Sequence, residues 1–453
     1  MSIQSKVEKQ REYFYKNHTK SVSFRIRQLK KLKSAIQTNE KMILEAVYKD
    51  LGKSKAEAYM TELGIVYKEF DYVIKNLRSW SSPEKVSGSM MSFPAKNYIY
   101  RDPYGVVLIL SPWNYPFNLT MMPLIGAIAG GNCAIVKPSE TSPHTAAIIE
   151  KILNYTFSDE YVYCAPADTP HDEVNEQQYD YIFFTGSTNV GKEIMSIASK
   201  TLTPVTLELG GKSPAVVDET ANIDVAVKRI AWGKFVNAGQ TCVAPDHVII
   251  HSSKKQEFID RMLAEIEERY SNAVHRDDYP KIINEKHFKR LSGLLENEMV
   301  LGGSLNAHEQ KIAPALIPDS TFDSPSMEEE IFGPILPIIT YDNLQDLIVH
   351  QQTLPKPLAF YIFSENERNT DTLLSRLSFG GGCVNDTLMH LSHHDMPFGG
   401  VGASGMGHYH GKYSFDTFTH KKSVVKNSTA IDIPVRYAPF NEAKTKLFRK
   451  FLS

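Results

Sequence analysis

A single thiol follows a run of turn-forming residues in Phe235-Val-Asn-Ala-Gly-Gln-Thr-Cys242-Val-Ala-Pro245, where a helical pattern stops. Gly239 permits a sharp turn and Pro245 prevents the helix from resuming, so Cys242 is expected between two structural breaks. Backbone amides at such a turn favour thiolate, the reactive form of cysteine. A free cysteine taken alone is more often a small buried hydrophobe than a nucleophile. Two further residues change that weighting: Glu208 in Leu207-Glu208-Leu209-Gly210-Gly211-Lys212, and Asn114 in Pro112-Trp113-Asn114-Tyr115-Pro116. Singly, the first reads equally as a strand-end glutamate and the second as a turn residue. Together they supply a nucleophile, a base for water and an amide donor for an oxyanion, the parts of acyl chemistry through a covalent intermediate.

Those residues need elements to carry them. From Val7 to about Trp80 apolar residues recur at three and four positions, as in Phe24, Leu29, Leu32 and Ile36, which predicts a helical layer over a sheet. Ser81-Ser82-Pro83 breaks it, and Met91 to Tyr100 has the aromatic and β-branched bias of an exposed strand. Strand and helix patterns then alternate from Gly105 to Leu209, the signature of a parallel sheet covered on both faces. The alternation restarts at Ala215 and continues to Asn385, interrupted by a polar stretch from Asp277 to Asp323 that reads as irregular. Two α/β units are expected, with Cys242 near their interface, where ligand clefts form.

Phe184-Thr185-Gly186-Ser187-Thr188-Asn189-Val190-Gly191 falls at a strand-to-helix junction, where free amides at a helix start can meet an anion. Its spacing is not the G-x-G-x-x-G of ordinary dinucleotide folds. Gly52-Lys53-Ser54 and Gly211-Lys212-Ser213 look like the end of a P-loop, but Val47 and Thr206 stand where its first glycine is needed. His393-His394 and His408-Tyr-His410 lack the partners of a metal site, so no metal is expected.

The 453 residues are 42% hydrophobic, enough for more than one core. Lys+Arg 50 against Asp+Glu 52 leaves a net charge of -2, which gives no reason to expect nucleic acid. Four scattered cysteines form no C-x-x-C pair, and the charged start has no secretory core. With no apolar run of membrane-spanning length, a soluble cytoplasmic enzyme is expected. The tail places Lys444, Lys446, Arg449 and Lys450 among Leu447, Phe448, Phe451 and Leu452 at helical spacing. Its apolar face is expected to pack on protein, a short interfacial membrane contact being the alternative.

Through PWNYP, KPSE, FTGS, LELGGK, GQTC, EEEIFGP and PFGGVGASGMG, in that order over nearly the whole chain, the sequence resembles the aldehyde dehydrogenase superfamily. Its closing run PFGGVGASGMGHYHGKYSFDTFTHKK resembles the class 3 branch, which includes medium-chain and fatty aldehyde dehydrogenases. The resemblance implies an α/β aldehyde dehydrogenase fold: a Rossmann-like NAD-binding domain over 1–82 and 104–208, and a catalytic α/β domain over 209–410. A small β oligomerisation arm with the C-terminal segment would cover 83–103 and 411–453, serving a homodimer. It makes Cys242 the nucleophile, Glu208 the base and Asn114, with the Cys242 amide, the oxyanion donor. Gly186, Ser187 and Gly191 would lie on the pyrophosphate, Lys137 and Glu140 on the adenine ribose, Glu330 on the nicotinamide ribose and Phe332 near the nicotinamide, with Glu328 and Glu329 left in solvent. A carboxylate at 140 repels a 2′-phosphate and so favours NAD, with NADP possible. Tyr115, Leu119 and Trp232 would line a tunnel for an apolar aldehyde, aromatic or medium-to-long-chain. Core packing is the rival reading for Leu119 and Trp232. Rival functions are an NAD-independent thioester hydrolase or esterase on the same cysteine, and a catalytically silent binding protein.

Overall fold

The apolar periodicity of the first eighty residues becomes helices Ile3–Tyr15, Val22–Thr38, Glu40–Leu51 and Gly64–Trp80 in a computed structural model that describes residues 2–88, 93–296 and 298–452. Their buried faces, including Leu29, Leu32, Ile36, Val47, Phe70 and Leu77, pack on helices Asn118–Gly130 and Pro143–Thr156. Ile3–Tyr15 lies directly on a six-stranded sheet, Gln10 Nε2 donating to the Ala134 carbonyl at 2.9 Å.

That sheet runs in the order Gly405–Met406, Val205–Glu208, Tyr181–Thr185, Val106–Leu110, Cys133–Lys137, Val162–Cys164. Every neighbouring pair is parallel except the first, in which Gly405 stands opposite Glu208 in antiparallel register. Val106–Leu110 and Cys133–Lys137 are buried at every position, as expected of strands covered on both faces. The edge strand at 405–406 therefore comes from the far end of the stretch assigned to the other unit on sequence grounds.

The second sheet has seven strands, ordered Leu301–Gly302, Ala315–Ile317, Ile335–Tyr341, His247–His251, Pro214–Val217, Ala359–Phe363, Gly381–Val384. All pairs are parallel except Leu301–Gly302 with Ala315–Ile317. The 277–323 stretch differs from its irregular reading: it holds helix Glu285–Glu296 and four short strands. Only Phe288 and Leu291 of that helix are buried, too few for an apolar period to show, and Gly302 and Gly303 at φ +82° and +75° break the strands.

The exposed strand expected over 91–100 runs as Lys96–Pro103, between Glu84–Val86 and Thr419–Lys426; Met91 and Ser92 lie outside the described residues. The tail forms helix Glu442–Leu452. Leu447 is exposed and Phe448 half-buried, so the expected packing does not occur at Leu447 within the single chain; the side chains of Phe451 and Leu452 lie outside those described. Among the described residues no helix is long and apolar enough to cross a membrane, and no group of His, Cys, Asp and Glu could hold a metal ion.

Candidate active site

Parallel strands present their carboxyl ends in a row, and here that row collects chemistry. Glu208 ends one strand, Gly186 and Ser187 follow the next, Asn114 lies four residues past Leu110, and Lys137 ends the fourth. Four adjacent strands span about 14 Å, the scale of an extended dinucleotide. The strand order reverses on either side of Val106–Leu110, the position at which open α/β sheets leave a crevice.

The second sheet meets this edge through the loops that precede its strands. Helix Ile223–Phe235, capped by Asn222, ends where Asn237, Ala238 and Gly239 all take left-handed backbone, φ +54°, +49° and +75°. Such a run is costly for non-glycine residues and persists only where neighbours hold it. Glu57 Oε1 accepts from the Asn237 amide at 2.8 Å, and Asn237 Nδ2 donates to the carbonyls of Asn114 (2.9 Å) and Gln240 (3.0 Å). Gly239 has no substitute, since a Cβ there would sit 2.2 Å from the Gly333 carbonyl oxygen. The remaining clamps fall on the neighbours of Cys242. Asn114 Nδ2 donates to Gln240 O at 3.1 Å, Tyr115 Oη shares a 2.6 Å bond with Thr241 Oγ1, and Tyr361 Oη donates to Val243 O at 2.6 Å.

Cys242 thus lies on the expected turn, but its thiol does not rest as thiolate. Burial pushes it up to about 12, the charges of Glu330 and Glu208 add to the shift, and the amides of Cys242 and Val243 oppose it. Composition of the turn could not reveal this, because the desolvating neighbours come from distant segments. Glu208 is 3% exposed, and among the described residues neither of its carboxylate oxygens meets a hydrogen-bond donor. Burial alone holds its carboxyl protonated well above the usual carboxylate range. An unsatisfied buried carboxyl costs stability, so its retention calls for a functional explanation.

Along the row, Lys137 Nζ donates to Ala167 O at 2.7 Å and lies 3.4 Å from Glu140 Oε2, while Glu140 Oε1 lies 3.3 Å from His171. Ser187 caps helix Thr188–Ser199, its hydroxyl accepting from the Val190 amide, so the positive end of that helix faces the crevice. A Cβ at Gly186 would strike the Phe184 ring at 2.5 Å, and one at Gly191 would strike Leu209 at 2.6 Å. Beside them, Thr185 Oγ1 is a buried polar atom without a partner among the described residues. Glu330 folds against Gly210, accepts from the Gly211 amide, and is raised to about 8 by burial and by Asp246. Its loop is pinned by Lys212 Nζ on Asp246 (2.5 Å), Ser326 O and Glu329 O, and by Arg290 on Ile331 O (2.5 Å). Phe332, at φ +49°, packs edge-on to Trp113 with ring centroids 5.4 Å apart. Glu328 and Glu329 are exposed.

The model of the aldehyde dehydrogenase family matches residues 1–424. The chain belongs to the aldehyde dehydrogenase family. This aldehyde dehydrogenase is 49% identical over 459 residues to 4,4'-diaponeurosporen-aldehyde dehydrogenase of Staphylococcus aureus, covering 99% of each chain. It is 42% identical over 430 residues to the rat aldehyde dehydrogenase, dimeric NADP-preferring, covering 94% of this chain and 95% of that one. With rat aldehyde dehydrogenase family 3 member A2 it shares 41% over 455 residues, 99% and 94% of the two chains. The solved structure of the substrate-bound state of S. aureus AldH superposes with a TM-score of 0.97 at 48% identity, covering 100% of this chain and 99% of that one.

Aldehyde dehydrogenases use NAD or NADP, and the crevice suits such a group: it has a helix N-terminus, glycines where side chains would collide, and a buried orphan hydroxyl. Of the three residues expected to line a substrate path in this aldehyde dehydrogenase, Tyr115 is buried and its hydroxyl is already committed to Thr241, next to Cys242 in sequence. Leu119, in the first turn of the helix after Asn114, is half-buried. Trp232 lies one turn before the end of the helix leading to the cysteine and is 37% exposed, which removes core packing as its role. Sequence reasoning missed Lys53, Glu57, Glu62, Asn237 and Gln240, which hold the loops at 114 and 242. With the phosphate-loop reading of Lys53 and Lys212 excluded by the missing first glycine, both act as pegs on main-chain carbonyls, Lys53 fully buried and Lys212 partly exposed. No local signal distinguishes such a lysine, because its partners lie far along the chain.

Proposed function

We propose that the chain oxidises an apolar aldehyde, aromatic or medium-to-long-chain, to its carboxylic acid, with Cys242 as nucleophile, Asn114 as oxyanion donor and Glu208 as general base. Cys242, which is only half-buried, passes its thiol proton to solvent water, and its sulfur attacks the carbonyl carbon, forming a tetrahedral thiohemiacetal. One N–H of the Asn114 amide is held on Gln240 O, which leaves the other, with the Cys242 backbone amide, to meet the oxyanion. Removing one such donor costs about 3–4 kcal/mol of barrier. NAD or NADP, when bound, would supply the hydride acceptor and a positive charge that would favour thiolate and carboxylate over their neutral forms. The acyl group remains on Cys242 as a thioester. Glu208 then takes a proton from water, the resulting hydroxide adds to the thioester, and the acid leaves as the thiol is restored.

The observation that supports this reading best is the Asn114 Nδ2 to Gln240 O bond, which ties the amide of one sheet edge to the loop that carries the thiol. Gly186, Ser187 and Gly191 would hold the pyrophosphate, Lys137 and Glu140 the adenine ribose, Glu330 the nicotinamide ribose, and Phe332 would pack near the nicotinamide. The apolar faces of Tyr115, Leu119 and Trp232 would line the aldehyde path. A relative named for 4,4'-diaponeurosporen-aldehyde supports a long apolar substrate, and one named dimeric supports a homodimer. The dimer would extend the sheet of Lys96–Pro103, and we place the enzyme in the cytoplasm.

The test is NAD reduction over aldehydes of rising chain length, with aromatic and polyene members. kcat/KM should rise with apolar length, and a preference for short polar aldehydes would reject the substrate assignment.

Cofactor choice makes a separate prediction. Burial works against ionisation of Glu140, but its own backbone amide, His171 and Lys137 hold its carboxyl below the ordinary value, so a 2′-phosphate would meet a negative charge. Glu140→Gln should move the NADP-to-NAD ratio of kcat/KM toward NADP by about tenfold, on the order of 1.4 kcal/mol. An unchanged ratio would remove Glu140 from the ribose site.

A further inference from the structure

Lys53 and Glu62 are fully buried, with Nζ and Oε1 3.0 Å apart. Gly52, at φ +68°, caps helix Glu40–Leu51 and turns the chain inward, which delivers the lysine to the interior. Its ammonium makes three contacts: Glu62, the backbone carbonyl of Asn114 at 3.0 Å, and the face of the Tyr115 ring at 3.8 Å from the centroid. The other oxygen of Glu62 accepts from the amides of Phe117 (3.2 Å) and Asn118 (2.8 Å) at the start of helix Asn118–Gly130. One ion pair therefore holds both ends of the 114–118 loop. Five residues before Glu62, Glu57 holds the Asn237 amide of the facing loop.

A buried ion pair is a poor stabiliser, since apolar residues of similar volume usually serve a fold as well or better. This one ends on the peptide carbonyl of the residue whose side chain would receive the oxyanion. The only other donor on that carbonyl, among the described residues, is the neutral Asn237 Nδ2. We propose that Lys53 is a positioning residue for the oxyanion donor: with Glu62 it fixes the Asn114 peptide and so aims the Asn114 amide at the oxygen of the carbonyl attacked by Cys242. The inference rests on the reading of Asn114 given above.

The experiment compares kcat, KM for aldehyde and NAD, and Tm of full-length Lys53→Met, Asn114→Ala and the combined variant. Lys53→Met should lose about 10–100-fold in kcat while KM for NAD stays within about twofold. Asn114→Ala should lose about 100–1000-fold. Because both act through one amide, the combined variant should be no more than about threefold slower than Asn114→Ala. Losses that multiply, or a Lys53 variant at full kcat beside a slow Asn114→Ala, overturn the positioning role. Full activity in Asn114→Ala overturns the oxyanion reading itself. Should Lys53→Met fail to fold, Lys53→Met/Glu62→Gln carries the same comparison without a buried charge, since the Gln carbonyl still accepts from 117 and 118. Wild-type kcat in that pair also overturns the proposal.

Discussion

Cys242→Ala should bring NAD reduction with any aldehyde down by about 10⁵-fold or more, while NAD still binds. The size follows from the chemistry. Without sulfur there is no thiohemiacetal from which hydride can leave, and Asn114 has no oxyanion to meet. Methyl for thiol removes a half-buried group of modest size, and its neighbours at 240, 241 and 243 are bonded through their own backbone or hydroxyl atoms, so the loop should keep its shape. Titration calorimetry with NAD and a stopped assay for acid product check the two halves. Turnover within a hundredfold of wild type would refute the assignment of the nucleophile.

Glu208→Gln separates the two chemical stages. It should deliver a burst of about one NADH per subunit and then a steady rate lower by about 10³-fold, because the thioester forms but no base activates water. The same substitution should also stabilise the protein. The carboxyl of Glu208 is raised well above its ordinary 4.5 by burial, so between 4.5 and its folded value the native state keeps a proton that the unfolded chain releases. Stability contributed by that proton is complete below about 4.5 and is lost as pH rises. Glutamine does not titrate, so the Tm of the variant should exceed that of wild type at pH 8, and the gap should narrow toward pH 4.5. A gap independent of pH would mean that Glu208 is not the buried acid described above.

The parallel alternation was legible because β-branched runs such as Val106–Leu110 and Cys133–Lys137 are short, fully apolar and bounded by turn residues. The turn at Cys242 was legible because its breaks are marked locally: Gly239 takes φ +75° and Pro245 follows the cysteine, so the helix before it has a clear stop, although distant neighbours such as Glu57 and Gly333 hold the turn in place. The protonation of Cys242 was not, because it depends first on burial by segments distant in sequence and then on Glu330 and Glu208, 88 and 34 residues away. Lys53 was opaque for the same reason. Gly-Lys-Ser looks alike whether it meets a phosphate or a carbonyl, and here the deciding partner is the main chain of Asn114. The two-residue strand Gly405–Met406 carries no alternation at all; its pairing is imposed by Leu207 and Glu208 across from it.

That short strand has a bearing on biosynthesis. The segment ending in Glu208 emerges from the ribosome about two hundred residues before its antiparallel neighbour does. At about 5–20 residues per second the wait is about 10–40 s, during which the nascent chain offers an open sheet border to other polypeptides. Messages cut short before codon 405 would therefore yield products that contain Asn114, Glu208 and Cys242 yet depend on chaperones and proteases rather than joining the working pool.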